Sequence, residues 1–348
     1  MTEFAAPSAP AEDPRSDLEL EAVLARRTGP MEALGRGARL AVRSAAIGLP
    51  ATVVFGVVSG VGSQALIGLA DGMRATERPI IQLWAQGFFA LTVFLVIYAI
   101  LQFTKRDRVS RASWWPALFA VPAALVMGAF SLEFQGTARQ VPIVPTFLLM
   151  AWWLAYGSIG GAAVAIAWLR AGNAAMKGQR ADAGAIVSEI GRRTIEVSGP
   201  HGAKVHAVTI GMQIILPGIF YALQLAFADM IAVLDPTRPA LRRSGQLTFG
   251  MRGRLFRMLF VWWIVSTVLA MVAGGVYDGV LEPVAMLEKW GELLLDPSAI
   301  SPAAGVVSEV VWSLTTWVLT LALLVLYEER EEQVRARVVL KGRGARKP

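Results

Sequence analysis

The sequence predicts an all-α membrane bundle of six full spans plus one Pro-Gly broken hairpin. Three observations predict it. First, 55% of the 348 residues are hydrophobic and 17% are charged, where soluble domains carry about a quarter charged residues. A soluble fold of this size has no interior large enough for that surplus, and the surplus also excludes a disordered chain. Second, the apolar residues gather into seven runs bounded by charges, most of them near the roughly 20 residues that cross a bilayer as a helix. They are far longer than the alternating strands of a membrane barrel. Third, the basic residues fall in the connections in a pattern that one topology satisfies throughout.

The elements follow in order. Residues 1–24 are Ala/Pro-rich and acidic and are expected to be disordered, with room for a short helix from Asp17 to Arg27 that Gly29-Pro30 ends. This tail, 1–29, lacks the basic start and short apolar core of a cleaved signal peptide. Pro30 to Arg43 reads as an interfacial helix, with Leu34, Leu40 and Val42 against Arg36, Arg39 and Arg43. The membrane domain covers 30–330, and 331–348 is a basic C-terminal tail. The apolar runs are 44–70, 79–103, 112–132, 140–169, 205–234, 258–277 and 310–327.

Charge decides which runs cross. If all seven crossed from a cytoplasmic N-terminus, Arg238, Arg242, Arg243, Arg252, Arg254 and Arg257 would lie outside, against the preference of short basic loops for the cytoplasm. If the fifth run instead enters and leaves on one side, every connection obeys the rule. The inner segments are then basic, while the outer segment from Asp278 to Glu309 holds six acids and one Lys. Both termini are expected in the cytoplasm. The fifth run also has a reason to turn: Pro217 removes a helix donor and Gly218 permits reversal. A kinked full span is the alternative, because membrane helices tolerate Pro.

The stretch Ile214-Ile215-Leu216-Pro217-Gly218-Ile219, then Phe227-Ala228, Val233-Leu234-Asp235 and Ala240-Leu241-Arg242-Arg243-Ser244-Gly245-Gln246-Leu247, forms an ordered pattern. The exit Leu324-Val325-Leu326-Tyr327, with Arg330 and Arg337, completes it. Together these resemble the membrane domain associated with bacterial glycerophosphoryl diester phosphodiesterases, which also occurs alone as a polytopic protein. Enzymatic members of that family carry a soluble barrel with a His-Arg-Gly start. This chain has no His-Arg dipeptide and no soluble stretch of that length. The resemblance therefore implies the membrane part without the enzyme, in a bacterial cell (inner) membrane. The polar segment 192–204 also departs from the continuous apolar helix that the family has there.

Candidate site residues follow from cost. Asp229 lies between Ala228 and Met230, and an acid at membrane depth is expensive and often functional. It reads either as a proton or cation site or a partner for an Arg in the bundle, or as a residue near the cytoplasmic interface beside Asp235; the interface is the preferred position. His206 opens the first arm of the hairpin and reads as a relay or as a plain interfacial residue. Arg238, Arg242, Arg243, Arg252 and Arg254 read as a lipid-headgroup surface or as ordinary inner-face anchors. Pro217 and Gly218 are the expected hairpin turn. Trp114, Trp115, Trp262 and Trp263 are expected at the inner face, and Trp84, Trp290 and Trp312 at the outer face. Gly56/Gly60 and Gly157/Gly161 are spaced for close helix packing. Residues 281–295 read as an amphipathic outer helix, on which Glu288 and Glu292 share a solvated face.

The chain has no Cys and two His. No catalytic residues, metal or cofactor are therefore expected, and the basic residues need no nucleic acid to explain them. The expected function is non-enzymatic: a scaffold or regulatory membrane protein that contacts lipids or another protein. The alternative is a transporter or channel built on the broken hairpin and Asp229.

Overall fold

The computed structural model describes residues 16–71, 143–212, 216–280 and 301–344. Among these residues there are ten helices and no strand. They are α1 (Asp17–Ala25), α2 (Pro30–Arg43), α3 (Ala45–Asp71), α4 (Ile143–Met176), α5 (Ala183–Met212), α6 (Leu216–Gln224), α7 (Ala228–Leu234), α8 (Ala240–Thr248), α9 (Arg252–Tyr277) and α10 (Pro302–Gly344). The runs 79–103 and 112–132, Trp84, Trp114, Trp115, Trp290 and the expected outer helix with Glu288 and Glu292 lie outside the described residues.

Among the described residues three helices are long and apolar enough to cross a membrane: α3 over Ala45–Ala65, α9, and α10 over Pro302–Gly342. α9 turns Phe256, Phe260, Trp263, Val268, Val272 and Val276 outward, so its apolar character serves the surroundings rather than the core. The 34-residue α4 contains the fourth apolar run from residue 143 onward.

α10 is the axis of the molecule. Its 43 residues reach about 65 Å at the α-helical rise. α2 and α3 run antiparallel along it on a line of glycines. A Cβ at Gly37 would stand 2.7 Å from the Ala322 nitrogen, one at Gly56 2.7 Å from Val310 Cα, and one at Gly60 2.8 Å from Val306 Cα. Only glycine permits that approach. Gly48 leaves room for the Trp317 ring. α9 lies on another flank, where the Ser308 hydroxyl donates to the Ala270 carbonyl at 3.1 Å. The main hydrophobic core lies around the middle of α10, where Leu321, Leu324 and Leu326 are fully buried with Phe227, Met230, Leu255 and Met258.

α4 packs against α3 through polar aromatics. Trp168 donates to Thr52 Oγ1 at 2.8 Å, Tyr156 to the Phe55 carbonyl at 3.2 Å, and Trp152 to the Ser59 carbonyl at 3.2 Å. Trp152 and Phe55 stack on the two sides of Tyr156, with centroids 4.9 and 5.1 Å away. Each buried ring thus places its polar atom on a backbone or hydroxyl partner.

The N-terminal helix is tied down. Ser16 caps it reciprocally with Glu19, and Leu20 is fully buried. α2 begins where Gly29-Pro30 predicts, with Pro30 in its first turn. The segment expected as a basic tail continues α10 to Gly344, with Glu331, Gln333 and Ala336 buried. One aromatic expectation is corrected. Trp262 and Trp312, assigned to opposite faces, make an edge contact with centroids 5.2 Å apart. The reason is register: α9 and α10 are antiparallel and offset, so these rings meet at one height inside the bundle.

Candidate functional site

The candidate site is the hairpin formed by α5, α6 and α7 where it folds against α4. Its reversal is fixed by three pairings. Arg193 of α5 donates to the Ala232 and Val233 carbonyls of α7 at 2.7 and 3.0 Å. Nearer the turn, His201 and Lys204 of α5 reach Asp229 of α7. The two arms are therefore antiparallel, and Pro217 and Gly218 lie in the first turn of α6.

The break between α6 and α7 is plugged by Ser244 of α8. Its hydroxyl donates to the Gln224 carbonyl at 2.8 Å and accepts from the Phe227 N–H at 3.1 Å. One side chain thus satisfies a backbone acceptor and a backbone donor at the break.

Asp229 is buried beneath this break. One carboxylate oxygen lies 2.9 Å from His201 Nδ1, and the other accepts from Lys204 Nζ at 2.6 Å. The second ring nitrogen of His201 lies 3.1 Å from the Gly157 carbonyl of α4. Gly161, one turn on, has no Cβ because the imidazole occupies that space. The Gly157/Gly161 pair thus packs tightly, and its occupant is a histidine. Both nitrogens of His201 face oxygen acceptors, so the ring donates to both only when doubly protonated. His206 stands apart from this cluster. It is buried, and its Nδ1 donates to the Gly202 carbonyl at 2.6 Å, within its own helix.

The exposed end of the hairpin is held by a second cluster. Glu189 accepts from Arg170 at 2.7 Å and from Arg193 at 2.5 Å. Both arginines also reach the Val233 carbonyl, at 3.1 and 3.0 Å. Two guanidinium groups thereby cap the last turn of the seven-residue α7, the negative end of its dipole. Burial raises the Glu189 pKa, but the hydrogen bonds and charges of Arg170 and Arg193 outweigh it. The carboxyl stays below its usual range.

The basic group expected as a headgroup surface divides. Arg243 binds Glu331 of α10 with distances of 3.0–3.2 Å. Arg238 joins that carboxylate at 3.5 Å and Asp235 at 2.8 Å. Arg254 reaches Glu329 at 3.0 Å and the Thr28 carbonyl at 3.1 Å. Arg252 lies over the rings of Phe220 and Phe249, 5.2 and 5.9 Å from their centroids. Arg242 is exposed. Asp235 serves the turn after α7, where it accepts from the Thr237 hydroxyl at 2.8 Å.

Sequence reasoning singled out Asp229 and missed His201 and Lys204 as its partners, as well as Ser244, Glu329 and Glu331. A signal existed for the first two. Folding the fifth run about Ile215 sets His201 opposite Asp229, and Lys204 stands one turn along the same face. Among the described residues no three His, Asp or Glu gather in a way that could hold a metal ion. Comparison with known proteins finds no matching family model, no matching curated protein and no matching solved structure.

Proposed function

We propose that this chain is a non-enzymatic, multi-pass protein of a bacterial cell membrane that works as a scaffold or regulatory domain, binding lipids or another protein. In this reading it has six full spans plus the hairpin, with both termini in the cytoplasm. It is the membrane part that the glycerophosphoryl diester phosphodiesterase resemblance implies, standing without a catalytic barrel.

One observation carries the reading: the charges around the hairpin are consumed by each other. Asp229 is ion-paired with Lys204 and contacts the His201 ring, and Glu189, Glu329 and Glu331 each hold arginines. Closed pairs of this kind fix a geometry, and breaking one leaves a buried charge uncompensated. A transport reading draws on the same cluster, because a broken helix with a buried acid resembles the sites of transporters.

Flux separates the two. The scaffold reading expects vesicles containing the protein to show no proton- or ion-coupled flux that Asp229→Asn abolishes; such a loss would sink it. The topology is tested separately by a reporter fused after Gln246, which should read cytoplasmic. A periplasmic signal would make the fifth run a full span.

A further inference from the structure

α2 and α9 lie on different flanks of α10, and α10 serves as a ruler for both. The Thr28 N–H donates to Glu329 at 2.9 Å, and Gly48 lies against Trp317. These ties place α2 level with the stretch of α10 between residues 317 and 329. On the α9 side, Arg254 meets Glu329 and Trp262 meets Trp312. Residues 254–262 of α9 therefore lie level with residues 312–329, a stretch that overlaps the same band.

Within that band the two flanks differ in kind. α9 exposes Phe256 and Phe260, while α2 exposes Arg39 and Arg43, with Arg36 half-buried beside them. Among the described residues none of these three arginines forms an ion pair, and Glu32, one turn before Arg36, forms none with it. Arginine at the depth of exposed phenylalanine is costly unless an anion meets it. Immediately beyond Arg43 the exposed stripe turns apolar. Leu49, Val53, Val57 and Val61 recur every four residues, which places them along one face of α3.

We propose that the α2–α3 face seats an anionic phospholipid, with its phosphate on Arg39 and Arg43 and an acyl chain along the α3 valine stripe. This rests on the membrane reading above and names the lipid contact that it requires. The seat draws a headgroup deeper on the α2 flank than on the α9 flank. It does not involve the Arg238–Arg254 group, most of which is spent on Glu329 and Glu331.

The test uses the full chain in detergent, with native mass spectrometry after addition of phosphatidylglycerol, phosphatidylcholine of matched chains, or inorganic phosphate. Retention of phosphatidylglycerol over phosphatidylcholine is expected. It should weaken about 30-fold in Arg39→Gln/Arg43→Gln, from about 1 kcal/mol per basic residue at an anionic surface. Arg242→Gln should leave it unchanged. Retention of phosphatidylglycerol should persist in Arg39→Lys/Arg43→Lys, which keeps the charge and controls for folding. Equal retention of both lipids, an unaffected Gln variant, or displacement by millimolar phosphate alone would overturn the seat.

Because the chain has no Cys, single reporters separate this failure from that of the membrane reading. In phosphatidylglycerol vesicles, a depth-sensitive label at Phe260→Cys should report hydrocarbon and one at Val42→Cys the headgroup layer. A Phe260 label in water defeats the membrane reading itself. A Phe260 label in hydrocarbon with Val42 equally deep defeats the seat alone.

Discussion

The two halves of α10 are built on different rules. From Val318 to Tyr327 large side chains from several elements pack around the helix, and Gly37 of α2 makes a close glycine approach to this stretch. From Pro302 to about Thr316 the backbone of α3 approaches closely through Gly56 and Gly60, and Gly274 of α9 makes room for the Ser308 hydroxyl. The proposed membrane setting accounts for the difference. Where lipid replaces water, burying apolar area gains little, so close contact between small residues holds helices together. Where the helix lies inside protein, interlocking side chains do that work.

Substitutions that trade the two rules should show which half carries the stability. The largest effect is expected for Leu324→Ala in the wrapped half, a loss of about 2–5 kcal/mol for a fully buried leucine, read as a lowered unfolding midpoint in detergent. Gly56→Leu, in the other half, forces α3 away from Val310 and should lose about 1–3 kcal/mol. It should also loosen only the Pro302–Thr316 half, seen as faster amide exchange in α3 but not in α8. A Leu324→Ala effect smaller than that of Gly56→Leu would break the contrast.

The charged cluster at the end of the hairpin responds to acid. The folded-state pKa of Glu189 lies below the unfolded value, so its contribution is complete above the unfolded pKa and is lost as pH falls through the folded one. The thermal midpoint should therefore drop more between pH 7 and pH 4 in the native chain than in Glu189→Gln. The smallest effect is expected at the exposed Arg242, where a change to Gln should alter stability by less than about 0.5 kcal/mol, measured by the same unfolding midpoint.

Much of this architecture was legible in the residues. Gly29-Pro30 marked the start of α2, charge-bounded runs located α3, α9 and α10, and the Pro-Gly pair located the neighbourhood of the reversal. Partners across the chain were not legible. Glu331 stands 88 positions from Arg243, and Glu329 stands 75 from Arg254. A charged exit from a span reads the same whether its acids face water or arginine. Trp262 and Trp312 were misplaced for a related reason, since run boundaries give the order of the helices but not their offset. His201 looked like an interruption of an apolar helix, and only the antiparallel arm supplies the acid that explains it.

The two strands of this antiparallel assembly are unequal in stiffness. α10 runs unbroken from Pro302 to Gly344, about twice the length needed to cross a bilayer. Beside it, α2 and α3 are interrupted at Ser44, where the backbone leaves helical geometry. Together they make a rod alongside a jointed arm. A force applied near Lys341 reaches Pro302 as tilt, because no hinge on α10 absorbs it. The joint at Ser44 takes up the difference in angle, just beyond Arg43.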